Sequence, residues 1–314
     1  VETEREKALL EKLEALNEGP MEDRTLRAIY REIMSGALAL EHPLQVGYLG
    51  PQATFSHLAA MGKFGHSVKY EPKSNIADVF RDVETERLDY GCVPIENSTE
   101  GAVNHTLDMF TDSSVQICAE MNLRIHHNLI AKCEFSEIKK VLSHAQVLGQ
   151  CKSWLHEHMT GVEIVEVASS TKAAGIAASE KGCAAIASIL AAELYGLKIL
   201  HEKIEDNAHN TTRFMVIGRQ APAPTGEDKT SICFSIKDRV GVLYDCLLPF
   251  KEEDITLTMI ESRPSRRRKW EYFFFIDLLG HSSEEKIKRA LEKLENLTQS
   301  LRILGSYPRS NVML

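Results

Sequence analysis

Apolar positions recur at helical spacing along residues 1–42. Leu9, Leu10, Leu13 and Leu16 fall on one face, and Leu26, Ile29, Tyr30, Ile33, Met34, Ala37 and Leu40 on another. The pattern predicts two helices broken at Asn17-Glu18-Gly19-Pro20. Two such helices have too little core to stand alone, so they need the rest of the chain or another subunit. From Gln45 the pattern changes. The strand-like runs "VGYLG", "VKYEP", "DYGCVPI", "VQICAEMNLRIHHNLIA", "KKVLSHA", "EIVEVAS", "CAAIAS" and "RFMVIG" alternate with the helical patterns "TFSHLAAMGKF", "NIADVFRDVETE", "GAVNHTLDMF" and "STKAAGIAASE". This rhythm predicts an α/β fold, a mixed or parallel sheet covered by helices, as one domain or two small lobes.

The polar stretch "RQAPAPTGEDK" (219–229) is the best linker candidate. Beyond it the order is strand "TSICFSI", helix "VGVLYDCLLPFKEE", strand "ITLTMIES", basic turn "RPSRRRK", strand "WEYFFFIDL", helix "SEEKIKRALEKLEN" and strand "SLRILGSY". That is βαββαβ, a ferredoxin-like unit. The run Arg266-Arg267-Arg268-Lys269 reads as a solvated hairpin turn.

Composition narrows the function classes. A chain of 314 residues implies two or three domains. The net charge of −8 argues against nucleic acid or an anionic membrane as partner. No apolar run approaches the ~18 residues of a membrane span, and no signal-peptide pattern opens the chain. The first residue is Val1 rather than Met, which suggests a start inside a longer chain. Seven scattered cysteines without a C-x-x-C spacing indicate reduced thiols and a cytoplasmic location. "HEH" at 156–158 is not H-E-x-x-H, and His126 and His127 point to opposite faces of a strand, so no metal is expected.

The chemistry concentrates in "DNAHNTTRFMVIG" (206–218), where Asn207, Asn210, Thr211, Thr212 and Arg213 stand at the mouth of an apolar strand. Several helix starts carry hydroxyls: Thr54 and Ser56, then Ser98 and Thr99, then Ser169, Ser170 and Thr171. Each alone is an ordinary N-cap. Together they suggest a cleft lined by hydroxyls and free backbone N–H groups, which suits an anion. No glycine pattern makes a phosphate loop, so carboxylates are the favoured anions, with Arg213 as bidentate clamp and Thr212 as the proton donor beside it.

"VGYLGPQATFSHLAA", "VPIENSTEGAVNHTLD", "SSTKAA" and "DNAHNTTRFMVIG" resemble, in order, the motifs of prephenate dehydratase. The tail, with "GVLYDCLLPFKEEDITLTMIESRP", resembles the phenylalanine-binding ACT domain of that family. The head, with "ERE" and "YREIMSGALALE", resembles the last part of a chorismate mutase domain. The resemblance implies a partial mutase segment at 1–43 and a two-lobed dehydratase at 44–220, like type 2 solute-binding proteins. Its lobes would be 44–122 with 204–220, and 123–203. A linker at 221–228 and an ACT domain at 229–314 would follow.

It further implies loss of water and CO2 from prephenate to give phenylpyruvate, with no cofactor and no metal. Thr212 would polarise the departing hydroxyl, and Arg213 would hold a carboxylate, with Glu96 as a secondary acid. Thr54, Asn97, Ser98, Ser143, His144, Gln146, Ser169, Ser170, Thr171 and Asn210 would line the substrate. Ala145 stands where the family carries proline. Phenylalanine would bind at Gly241, Val242, Leu243 and Tyr244 and at Glu261, Ser262, Arg263 and Pro264, between two ACT domains of a homodimer or homotetramer. Removing 229–314 would then abolish the phenylalanine response and leave dehydration intact.

In the head, Arg5, Glu6 and Glu41 match mutase positions, Ala37 replaces a serine, and the long first helix has no counterpart, so that site is incomplete while the parent protein is bifunctional. Arogenate dehydratase and a non-enzymatic two-lobed solute-binding or sensor protein stay open as alternatives.

Overall fold

A computed structural model describes residues 4–41, 44–237, 239–265 and 272–310. The basic run Arg266–Lys269 lies outside these residues, and so do the side chains of Arg5, Glu6 and Glu41. Helices α1 (Glu4–Ala15) and α2 (Asp23–Glu41) form the hairpin expected from the break at Gly19-Pro20, closed by Arg27 against Glu14. Leu16, Ile33 and Leu40 stay exposed, Leu40 at 90%, so the described residues do not cover that apolar stripe.

The α/β region opens with β1 (Gln45–Leu49), α3 (Phe55–Phe64), β2 (Lys69–Lys73), α4 (Ile76–Glu84), β3 (Tyr90–Asn97), β4 (Gly101–Ala102), α5 (Asn104–Phe110) and β5 (Gln116–Arg124). The apolar run 115–131 breaks after β5. Its second half, β6 (Asn128–Ala131), joins another sheet. Residues 125–127 are the crossing, and the Glu205 carboxylate holds it by accepting from the His127 backbone N–H at 2.9 Å and pairing with His126 Nδ1 at 2.6 Å.

The second lobe continues with β7 (Lys140–Ser143), α6 (Ala145–Gln150), α7 (Lys152–His158), β8 (Glu163–Glu166), α8 (Ser170–Ser179), β9 (Cys183–Ala187), α9 (Ile189–Tyr195) and β10 (Lys198–His201), with strand order β10-β6-β9-β7-β8. The chain then returns as β11 (Thr211–Gly218), inserted antiparallel between β3 and β5, which gives the first sheet the order β2-β1-β3-β11-β5. The catalytic candidates on β11 therefore sit inside the first sheet, at the point where the lobes join.

The C-terminal unit is β12 (Asp228–Ile236), α10 (Val242–Glu252), β13 (Leu257–Pro264), β14 (Tyr272–Leu279), α11 (Glu285–Glu295) and β15 (Ser300–Pro308). Its strand order β13-β14-β12-β15 is that of a ferredoxin-like βαββαβ unit. One sheet face buries Ile232, Phe234, Ile276 and Leu278 against Phe250, Ile287 and Leu294 of the two helices. The other face packs Cys233, Phe275, Leu304 and Tyr307 into one core with Val93, Ile117, Met215 and Ile217 of the first lobe. A Cβ on Gly305 would lie 2.3 Å from the Ile117 carbonyl oxygen, so β15 touches β5 backbone to backbone only because that residue has no side chain.

Candidate active site

Strand register sorts the candidates. Thr212 pairs with Asn97 across β11 and β3, and Arg213 pairs with Glu96. Directly opposed residues share a face and neighbours along a strand alternate. Thr212 and Asn97 therefore look into the cleft, while Arg213 and Glu96 look the other way. Asn97 Oδ1 accepts the backbone N–H groups of Thr99 (2.9 Å) and Glu100 (3.1 Å), which fixes the amide's orientation. Its Nδ2 must then donate, to Asn210 Oδ1 at 2.9 Å and to Thr212 Oγ1 at 2.7 Å. Thr212 Oγ1 is an acceptor in this bond, so its own proton is free to be donated elsewhere.

The cluster extends to residues the sequence did not single out. Asn210 Nδ2 donates to Gln150 Oε1 at 3.3 Å, and that oxygen also meets His127 Nε2 at 2.7 Å. The carbonyl can only accept, so His127 carries its proton on Nε2. Burial depresses the His127 pKa, consistent with a neutral ring. Its Nδ1 is buried without a hydrogen-bond partner. Phe55, the first residue of α3, lies edge-on to this ring, with centroids 5.4 Å apart, and so brings the α3 start beside the cluster. A cavity of about 530 Å³ opens next to it, lined by Thr99, Glu100, Gln146, Gly149, Gln150, Glu205, Asp206, Asn207 and Asn210. Gln150 and Glu205 carried no sequence signal, because Gln150 ends a six-residue helix and Glu205 lies in an irregular crossing.

The helix-start hydroxyls are used differently from what was expected. Thr54 Oγ1 donates to the Leu49 carbonyl (3.1 Å) and caps α3 by accepting from His57 N (3.4 Å). Ser169 caps α8 through Lys172 N, and Ser98 accepts from Thr211 N at 2.9 Å, pinning the start of β11. Thr171 is buried and donates to the Gln52 carbonyl at 3.0 Å, and Ser188 donates to the Ala53 carbonyl at 2.8 Å. Both bonds cross between the lobes, and Ala53 packs among Leu142, Ala173 and Ala187 of the second lobe. The loop leading into α3 is thus tied to the first turn of α8, and both are ten-residue helices. Their first-turn N–H groups have no partner within the helix. Ser170 shares the α8 start. His144 caps α6, accepting from Gln146 N at 3.4 Å, while Gln146 lines the cavity.

Three expectations need correction. Ser143 is fully buried and donates to the Ile186 carbonyl at 2.7 Å, which removes it from any substrate. Glu96 shares the face of Arg213, away from Thr212, so it is not an acid in the cleft. Arg213 is not a substrate clamp. It is 9% exposed, and its guanidinium donates to Glu120 Oε2 (2.8 Å), Asp277 Oδ2 (2.5 Å) and Tyr307 Oη (3.1 Å). Burial opposes its charge, but Tyr307, Asp277 and Glu120 outweigh that and raise its pKa far above the usual arginine value. The sequence places Thr212 and Arg213 side by side, and the pleat separates them.

The effector candidates gather at one end of the C-terminal sheet. Ile236 and Pro264 both pair with Tyr272, so the ends of β12 and β13 lie together on either side of β14. Gly241, at φ +79°, caps α10 just beyond β12, ahead of buried Val242, Leu243 and exposed Tyr244. Glu261, Ser262 and Arg263 complete the β13 side. Arg263 is not free: it makes a bidentate contact with Asp108 of α5, at 2.9 Å to each carboxylate oxygen.

A family model for prephenate dehydratase matches residues 46–222, and one for the ACT domain matches residues 230–296. A bifunctional chorismate mutase/prephenate dehydratase of Stutzerimonas stutzeri is 49% identical over 309 residues, which cover 98% of this chain and 85% of that protein. A prephenate dehydratase of Methanocaldococcus jannaschii is 40% identical over 270 residues, covering 83% of this chain and 97% of the other. Among solved structures, prephenate dehydratase in complex with L-Phe from Arthrobacter aurescens is 33% identical, with a TM-score of 0.79 over 85% of this chain and 90% of that one.

Proposed function

The chain belongs to the prephenate dehydratase family, and from that membership we propose how its cleft turns prephenate into phenylpyruvate. The observation that carries the mechanism is the fixed amide of Asn97. It occupies an acceptor site of Thr212 Oγ1 and leaves the hydroxyl proton available. Thr212 donates that hydrogen bond to the ring hydroxyl of the substrate. As the ring carboxylate leaves as CO2, its C–C electron pair enters the ring, the C–O bond breaks, and hydroxide departs as water with a proton drawn from solvent. Threonine is too weak an acid to transfer its proton fully, so it stabilises the charge growing on the leaving oxygen.

With Arg213 turned away, the two carboxylates need other partners. The starts of α3 and α8, brought together by the Thr171–Gln52 bond, supply N–H groups and the positive ends of two helix dipoles. The cavity beside Gln150 suits a dianion poorly, because Glu100, Glu205 and Asp206 line it and, among the described residues, no cation does. Its acidity favours an ammonium group, and so gives a second reading in which the amino-acid analogue arogenate is also accepted.

Replacing Thr212→Ala lowers kcat by about 10²–10³-fold with KM little changed. Near-normal turnover by the variant would sink the mechanism. Arogenate assayed beside prephenate separates the two substrates by kcat/KM.

The division into units at 1–43, 44–220 (44–122 with 204–220, and 123–203), 221–228 and 229–314 belongs to the same proposal, supported by the three separate sheets. L-Phenylalanine is assigned to the end of the ACT sheet at Gly241–Tyr244 and Glu261–Pro264, supported by the L-Phe complex of the relative. Exposed Val240, Tyr244 and Ile260 beside it support pairing of two ACT domains in a homodimer or homotetramer. Seven unpaired cysteines, six of them buried, support a cytoplasmic location.

A further inference from the structure

We propose that Arg213 is a positioning residue that couples the ACT domain to Thr212. Each donor around it has a determined direction. Ser231 Oγ donates to Asp277 Oδ1 at 2.5 Å, so its single proton is used. Tyr307 must therefore donate to Ser231 at 2.6 Å, and Tyr307 in turn accepts from Arg213 Nη2 at 3.1 Å. Arg213 Nη1 closes the ring on Asp277 Oδ2. Neither hydroxyl in the ring has a second proton, so displacing one member breaks the loop rather than stretching it.

The charges also balance across the domain boundary. Arg213 and Glu120 come from β11 and β5, and Asp277 and Lys229 from β14 and β12, with Lys229 Nζ 2.9 Å from Glu120 Oε2.

This ring grips the strand that carries Thr212, one residue away on the opposite face. A second tie flanks the same cluster. Arg263 on β13 holds Asp108 on α5, the helix that follows the Asn97–Glu100 loop. The second tie attaches through β13, and the ring reaches its neighbour β14 through Asp277; these are the strands that carry or adjoin the proposed phenylalanine site. A shift of those strands on effector binding therefore pulls β11 against β3, which neither tie grips, and changes the distance between Thr212 on β11 and Asn97 on β3. Coupling through a rigid guanidinium fork is what lysine cannot reproduce.

The inference rests on the assignment of Thr212 to the reaction. The test uses the full chain and the variants Arg213→Lys, Asp277→Asn, Tyr307→Phe and Thr212→Ala. It measures kcat, KM for prephenate, the phenylalanine concentration for half-inhibition, and the melting temperature. Tyr307→Phe loses one hydroxyl and keeps the packing, so it stays informative if a charge variant fails to fold.

The coupling predicts, for each ring variant that folds, a kcat lowered by about tenfold or more, KM within about twofold, and half-inhibition shifted by about fivefold or more. Lower melting temperatures with wild-type kcat and phenylalanine response would reduce the ring to structural support and overturn the coupling. A raised KM with unchanged kcat in Arg213→Lys would return the residue to the substrate and also overturn it. If Thr212→Ala stays active, the underlying mechanism fails. If Thr212→Ala is inactive and the ring variants are normal, only the coupling fails.

Discussion

At the scale of single residues, the proposed site is built by restricting hydrogen-bond direction. Asn97 is oriented by two backbone N–H groups, and this makes Thr212 an acceptor toward it. The same logic places the His127 proton on Nε2. Burial holds the His127 pKa below its ordinary value, and burial does the same to His57. The unfolded chain therefore binds more protons than the folded one below the unfolded pKa of ~6.5. The stability from these two rings is complete above that pH and is lost as pH falls through the lower folded values. The melting temperature should decline as the pH drops from about 7 to 5, and His127→Asn should flatten that decline. An equally steep profile in the variant would show that His127 does not titrate with unfolding.

At the scale of elements, β11 is the strand on which both halves of the proposal depend. It lies centrally between β3 and β5, and the pleat gives its two faces different work. β15 crosses β5 so closely that Gly305 meets the Ile117 carbonyl. A methyl group there forces two sheets apart. Gly305→Ala should destabilise the protein by about 1–3 kcal/mol in denaturant unfolding, the range for overpacking a buried contact. It should also blunt the phenylalanine response, because the ring around Arg213 spans the same interface. An unchanged denaturation midpoint would mean that the strands have room to spare.

At the scale of the molecule, the ACT unit is a second layer on the first lobe. Its removal uncovers Ile117, Met215 and Ile217 and leaves Arg213 and Glu120 without Asp277, Lys229 and Tyr307. Leaving part of a buried charge network unpaired costs about 3–5 kcal/mol, a large share of the stability of a typical domain. The expectation that a chain lacking 229–314 keeps its dehydration is therefore revised. That truncation should give poorly soluble, inactive protein, measured as soluble yield and prephenate turnover. A soluble truncate with full turnover would show that the catalytic lobe needs no cover.

Much of this architecture was legible along the chain. The helix break at Gly19-Pro20, the alternation from Gln45 and the βαββαβ tail follow from local periodicity and breaker residues, which act over a few positions. Helices α6, α7 and α9 were missed because each is a short segment of six or seven residues with too few buried positions to make a periodic stripe. The run at 115–131 looked like one strand because hydrophobicity reports burial and not which sheet does the burying. Thr212 and Asn97 were marked by residue type in the right place. The separation of Arg213 from Thr212, the arrival of Gln150 and His127 beside them, and the pairing of Arg213 with Asp277 depended on contacts between residues far apart in sequence, 64 positions in the last case. Local sequence carries a strand's period of two, and only the packed structure decides which of its faces lines the proposed site and which meets another domain.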